Sequence, residues 1–189
     1  MTLATKITIS RIALIPLMML TYFWGFEGSA IVTTVIFALA AYTDHLDGHI
    51  ARKTNTVTNM GKFLDPIADK LLVVVAMLML MENNAVYCYI PGPWLMVATI
   101  ILIVREFVIA ALRQIAASNG RVIAADKLGK IKTVIQDISI PVMFMTPVLA
   151  PIMPWYVYIS YVLLATSTLI ALISGVNYIV KNTSVLTEN

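Results

Sequence analysis

Six apolar runs follow one another through this 189-residue chain: Ile7–Phe26, Ala30–Ala51, Gly61–Met81, Trp94–Arg113, Ile131–Ala150 and Trp155–Ile179. Each can supply the ~20 residues of a spanning helix, given ~30 Å of hydrocarbon and a rise of 1.5 Å per residue. Between them stand helix breakers: Gly25 and Gly28, Pro91-Gly92-Pro93, and Pro151 with Pro154. A soluble globule is excluded, because 60% of the residues are hydrophobic and only 12% charged, against about 25% charged in a typical domain. The expectation is an all-α polytopic membrane protein with six transmembrane helices, forming one domain over residues 1–189 with no internal repeat. The first run is longer than a signal-peptide core and no A-x-A site follows it, so it reads as a retained helix. The single cysteine, Cys88, allows neither a disulfide framework nor a thiolate metal site.

Orientation follows from the cations. All 13 Lys and Arg fall in alternate connections or in the segment ends beside them: Lys6 and Arg11, Arg52 through Lys70, Arg105 through Lys132, and Lys181. The connections around Glu27, Glu82 and Pro151 contain none. The positive-inside rule then puts both termini in the cytoplasm, together with the aspartate loop and the Arg105–Lys132 stretch. The net charge of +3 describes a surface facing anionic lipid and cytosolic phosphates, and it is no sign of nucleic-acid binding.

Four of the ten acidic residues lie in one stretch: Asp44, Asp47, Asp65 and Asp69. On helices, spacings of three and four put each pair on one face. Counted from the outer helix ends, Asp44 and Asp47 lie ~21 and ~25 Å deep, and Asp69 and Asp65 ~18 and ~24 Å. The carboxylates therefore share a layer within the hydrocarbon zone, which demands a wet cavity open to the cytoplasm. Pro66 leaves two starts for the third helix: Asp65 as its N-cap, or an earlier entry near Gly61. The earlier entry is favoured because the later one leaves too short a span.

Four carboxylates facing one another need cations. An oxygen-only set suits Mg²⁺ or Mn²⁺, and two such ions could hold a diphosphate and stabilise charge on its leaving oxygen. Gly48 and Gly61 would let a nucleotide or diphosphate approach the backbone, although each taken alone fits a helix–helix contact equally well. Ala51 and Arg52 follow one turn on, with Arg52 placed to reach a phosphate. His45 and His49 point away from the carboxylate face.

The pattern D-x2-D-G-x2-A-R-x8-G-x3-D-x3-D, met in full from Asp44 to Asp69, resembles the signature of the CDP-alcohol phosphotransferases. Gly61 through Lys70, Arg105-Glu106-Phe107 with Leu112-Arg113, and Leu128 through Thr133 resemble the bacterial phosphatidylglycerophosphate synthases within that family. The likeness covers roughly Thr8 to Tyr178. It implies six helices, a homodimer, and attack by a hydroxyl of sn-glycerol 3-phosphate on the lipid-bearing phosphorus of CDP-diacylglycerol, releasing CMP. By the same resemblance Asp44, Asp47 and Asp65 bind the metals, while Asp69 contributes to the metal site and is the general base. Gly48, Ala51, Arg52 and Gly61 would cradle the CDP moiety. The family's usual amino-terminal Asn-Pro-Asn is replaced by Ala4-Thr5-Lys6, and Thr8 and Arg11 fit the later part of that pattern as donor contacts.

Arg105 lies ~16 Å from the outer end of its helix, so it needs a carboxylate or phosphate partner. Glu106 is adjacent in sequence and is expected to point elsewhere, which leaves Asp137 as a cross-helix candidate. Arg105 and Arg113 are eight apart and share a face; with Lys130 and Lys132 they could bind an acceptor phosphomonoester. Inositol phosphate and serine are alternative acceptors. Two other classes carry similar acids. A cation-coupled transporter keeps them near the midplane of repeated halves, and an intramembrane prenyltransferase would not require the glycine, alanine and arginine at these offsets.

Overall fold

A computed structural model describes the backbone of residues 3–54, 59–82, 90–121, 123 and 126–183, and the side chains of the same residues except 3–6, 44–54, 59–66 and 69. Among the described residues there are six α-helices and no strand. These are α1 (Leu3–Trp24), α2 (Ser29–Thr54), α3 (Asn59–Glu82), α4 (Gly92–Ser118), α5 (Lys127–Leu149) and α6 (Tyr156–Lys181). Each overlaps one apolar run of the sequence, and most extend a turn or so beyond it at the charged ends. The third helix begins at Asn59, ahead of Gly61, so Asp65 is no N-cap and Pro66 lies inside the helix.

Among the described residues three helices are long and apolar enough to cross a membrane by themselves, within Ile7–Trp24, Gly92–Ser118 and Tyr156–Lys181. The remaining three carry the charged stretches that lower their hydropathy. Even so, their outward faces are greasy: Ile31, Val35 and Leu39 on α2, Ile67, Leu71 and Leu78 on α3, and Ile131, Val134 and Ile138 on α5 are all exposed. An apolar stripe turned outward on a helical bundle is the surface a lipid tail solvates. This is a membrane protein.

The helices pack as a closed ring in the order α1, α2, α5, α6, α4, α3, with α3 also reaching α2 and α5. Small residues permit the close approach of α6 to α4 and α5. Ser160, Ser167 and Ser174 recur every seven residues along its buried face, joined by Ala171 and Gly175. Such stripes replace the hydrophobic drive that is missing inside a membrane. Helix α4 stops at Gly120 (φ 70°), where the Arg121 amide donates to the Ala116 carbonyl at 2.8 Å and the Gly120 amide to Ala117 at 3.1 Å. This left-handed stop, which a glycine adopts without steric cost, turns the chain back toward α5.

The two ends of the bundle differ. At the Trp24–Glu82–Leu149 end, Tyr22 meets Phe144 edge-on with centroids 5.6 Å apart, and Phe37 packs on Phe144 at 6.3 Å. The Tyr22 hydroxyl donates to the Met79 carbonyl at 2.6 Å. The opposite end carries the motif aspartates and most of the cations.

Candidate active site

The backbone brings the motif to one end of the bundle. Asp44 and Asp47 lie ten and seven residues before the end of α2, and Asp65 and Asp69 six and ten after the start of α3. At 1.5 Å per residue both pairs stand ~9–15 Å from the connection between these touching helices. One helical turn separates the members of each pair, so each pair runs along one side of its helix. The side chains of Asp44, Asp47, Asp65 and Asp69, and Gly48, Ala51, Arg52 and Gly61, lie outside the described side chains, and Cys88 lies outside the described residues. The donor set itself fits a hard divalent cation: carboxylate oxygens alone, on two adjacent helices, at one height.

Helix α1 packs against both aspartate-bearing helices. Its Thr8 and Arg11 are fully buried, and each is engaged with another group. Arg11 is thus a buried cation on a helix that packs against both aspartate-bearing helices.

Beside that layer lies a cleft of about 200 Å³, lined by Lys70, Arg105, Glu106, Ile109, Ala110, Arg113, Asp126, Gly129, Lys130, Thr133 and Tyr178. Lys70 follows Asp69 in the chain, so the cleft adjoins the aspartate helices. Four cations and two carboxylates line it, leaving an excess of positive charge. The structure thus brings Arg105, Arg113 and Lys130, three of the four cations named from the sequence, to one cleft.

Arg105 threads between α5 and α6. A Cβ on Gly129 would stand 2.9 Å from its Nη2, and one on Gly175 3.1 Å from its Cγ. Both glycines therefore leave room that any side chain would take. Its Nη1 donates to Glu106 Oε1 at 2.8 Å and its Nη2 to Ser174 Oγ at 3.1 Å, while Nε is buried with no partner among the described residues. The expectation that Glu106 would point away from Arg105 is corrected here. Two long side chains that leave the helix about 100° apart can still fold together when burial denies both of them water. Asp137, the expected partner, lines a smaller neighbouring cavity instead.

Lys132 belongs to that neighbouring cavity too and does not line the cleft. Its ammonium donates to the same Glu106 Oε1 at 2.7 Å, with the lysine side chain only 3% exposed. Arg113 is held differently: its Nε donates to the Tyr178 hydroxyl at 3.0 Å, and the guanidinium lies 5.5 Å from the Tyr178 ring centre. Among the described residues the terminal nitrogens of Arg113 make no hydrogen bond, the arrangement that suits a bidentate anion.

A model of the family described as CDP-alcohol phosphatidyltransferase matches residues 1–173 of this chain. The chain belongs to that family. Among its relatives, the CDP-diacylglycerol–glycerol-3-phosphate 3-phosphatidyltransferase of Bacillus subtilis is 41% identical over 150 residues, covering 73% of this chain and 74% of the Bacillus protein. The protein of the same name from Salmonella choleraesuis is 32% identical over 177 residues, 93% and 91% of the two chains. A rice protein named cardiolipin synthase (CMP-forming) is 40% identical over 149 residues, 76% of this chain and 45% of its own length.

Membership makes this chain a phospholipid-synthesising transferase and turns attention to residues that sequence reasoning passed over. Lys70, Asp126, Ser174, Gly175 and Tyr178 all touch the cleft or hold its cations. Two signals for them were present in the sequence: a serine every seventh residue along α6, and an aspartate immediately before the Lys127 helix. Neither identifies a cleft until α4, α5 and α6 are packed together.

Proposed function

We propose that this chain transfers the phosphatidyl group of CDP-diacylglycerol to sn-glycerol 3-phosphate, yielding phosphatidylglycerophosphate and CMP. The acceptor hydroxyl loses its proton to Asp69 and its oxygen bonds to the lipid-bearing phosphorus as the bond to the CMP oxygen breaks. Asp44, Asp47, Asp65 and Asp69 would hold Mg²⁺ or Mn²⁺, as two ions, which supply neutralisation of the diphosphate and of the charge reaching CMP. Gly48, Ala51, Arg52 and Gly61, with Thr8 and Arg11, would bind the CDP end. Arg113 and Lys130 form the acceptor-phosphate subsite with Arg105 behind them, and Lys132 acts through Glu106.

The observation that carries this reading is the cationic cleft beside the aspartate helices, next to Asp69 through Lys70. A phosphomonoester of charge near −2 suits its positive excess, whereas serine or another neutral alcohol does not. The outward apolar stripes of all six helices support six spans in the cell membrane. The segregation of the cations supports cytoplasmic termini and a site open to the cytoplasm, and the family resemblance implies a homodimer. The rice relative's name favours a second reading, the same transfer to a different acceptor.

The deciding experiment measures CMP release and the lipid product from purified protein, CDP-diacylglycerol and a panel of acceptors. sn-Glycerol 3-phosphate should be used best, and Arg113→Ala should raise its KM roughly ten- to a hundredfold, the value of one charge-assisted contact. The KM for CDP-diacylglycerol should stay near that of the native protein. Faster turnover with serine, or an unaltered acceptor KM in Arg113→Ala, would overturn the assignment.

A further inference from the structure

We propose that Asp126 reads a hydroxyl of the acceptor and thereby sets acceptor specificity, an inference that rests on the acceptor reading of the cleft. Asp126 immediately precedes α5 with φ −74° and ψ 145°, the extended backbone of a helix N-cap. Aspartate at that position ordinarily accepts a hydrogen bond from an amide of the first turn, yet here its side chain makes no capping bond. Its Oδ2 is buried and receives no hydrogen bond among the described residues. A buried carboxylate oxygen left bare is costly, and the residue that carries it lines the same cleft as Arg113 and Lys130.

Arg105 shows the complementary case. Its side chain is 10% exposed, and its Nε is a buried donor that finds no acceptor among the described residues. A ligand carrying both an anionic group and a hydroxyl satisfies the two orphaned atoms together. The arrangement is directional, because a carboxylate repels phosphate oxygens and accepts only from a donor. The phosphate therefore lies toward Arg105, Arg113 and Lys130, with a hydroxyl toward Asp126. In sn-glycerol 3-phosphate the reacting primary hydroxyl must face Asp69, whose chain neighbour Lys70 borders the cleft. The secondary hydroxyl, which does not react, is the one left for Asp126.

The test compares kcat/KM for sn-glycerol 3-phosphate and for 3-hydroxypropyl phosphate, which keeps the phosphate and the primary hydroxyl but lacks the secondary one. The full chain is assayed in micelles with CDP-diacylglycerol. The native protein should prefer sn-glycerol 3-phosphate by roughly ten- to a hundredfold, the range for a hydrogen bond to a charged group. In Asp126→Ala that preference should fall below about threefold, since no polar partner is then left bare. Asp126→Asn keeps an accepting oxygen at the helix start and should show an intermediate preference. A native-sized preference in Asp126→Ala would overturn the inference, including the case where both acceptors lose activity equally through damage to the helix start. If the native protein turned over neither phosphorylated acceptor, the acceptor reading itself would fall.

Discussion

Tyr22, Phe37 and Phe144 meet edge to face at one end of the bundle, and the Tyr22 hydroxyl is satisfied by a carbonyl of α3. At the other end Arg105 Nε and Asp126 Oδ2 are buried with no hydrogen-bond partner among the described residues, and Lys132 and Arg105 share one carboxylate. The same helices build both ends. At the first end these polar and aromatic groups satisfy one another; at the second, buried polar atoms lack partners among the described residues. A packed core of this kind can offset the cost of a cleft lined by imperfectly paired charge.

That contrast can be broken from either side. Phe144 is fully buried against Tyr22 and Phe37, so Phe144→Ala should cost about 3–5 kcal/mol through lost contacts and a residual cavity. Denaturation in mixed micelles should show the loss, while the folded fraction keeps native KM values for both substrates. Asp44→Asn, at the other end, should lower turnover by roughly 100- to 1,000-fold, the range for removing one group that stabilises developing charge. Its unfolding midpoint should hardly move, and added Mn²⁺ titrated by calorimetry should show weakened binding. Asp69→Asn should lose turnover comparably but keep some affinity for CDP-lipid, because three motif carboxylates remain.

Tyr178→Phe sharpens the comparison within the cleft. It removes the acceptor of the Arg113 Nε bond but keeps the aromatic face under the guanidinium. Loss of one such bond is worth about 1 kcal/mol, so the acceptor KM should rise about fivefold. The donor KM and the unfolding midpoint should stay as they are. A rise in both KM values would mean that Tyr178 shapes the whole site and does not position Arg113 alone.

The helices that carry the candidate site were legible in the chain because their pattern is local. Asp44 and Asp47 stand within one turn, as do Asp65 and Asp69, and both helices form over those residues as the spacing predicts. Helix existence was equally legible, since an apolar run of spanning length has no other way to satisfy its backbone in lipid. Lys132 was not legible in the same way. It sits two residues from Lys130 and carries the same charge, yet one borders the cleft and the other is buried on Glu106. Residues two apart on a helix diverge by about 200°, so which of them meets the cleft depends on how α5 is rotated against α4.

The sequence by itself determined the six helices, the family, and the pairing of aspartates along two of them, because periodicity, hydropathy and a fixed-spacing motif are properties of short stretches. Only the tertiary structure decided which cations share a cavity, that Glu106 and not Asp137 meets Arg105, and that Gly129 and Gly175 leave room for Arg105 between α5 and α6. Those facts join residues as far apart as Arg105 and Ser174. Their contact depends on the ring order of the helices and on the rotation of each about its own axis, and no stretch of chain encodes either one alone.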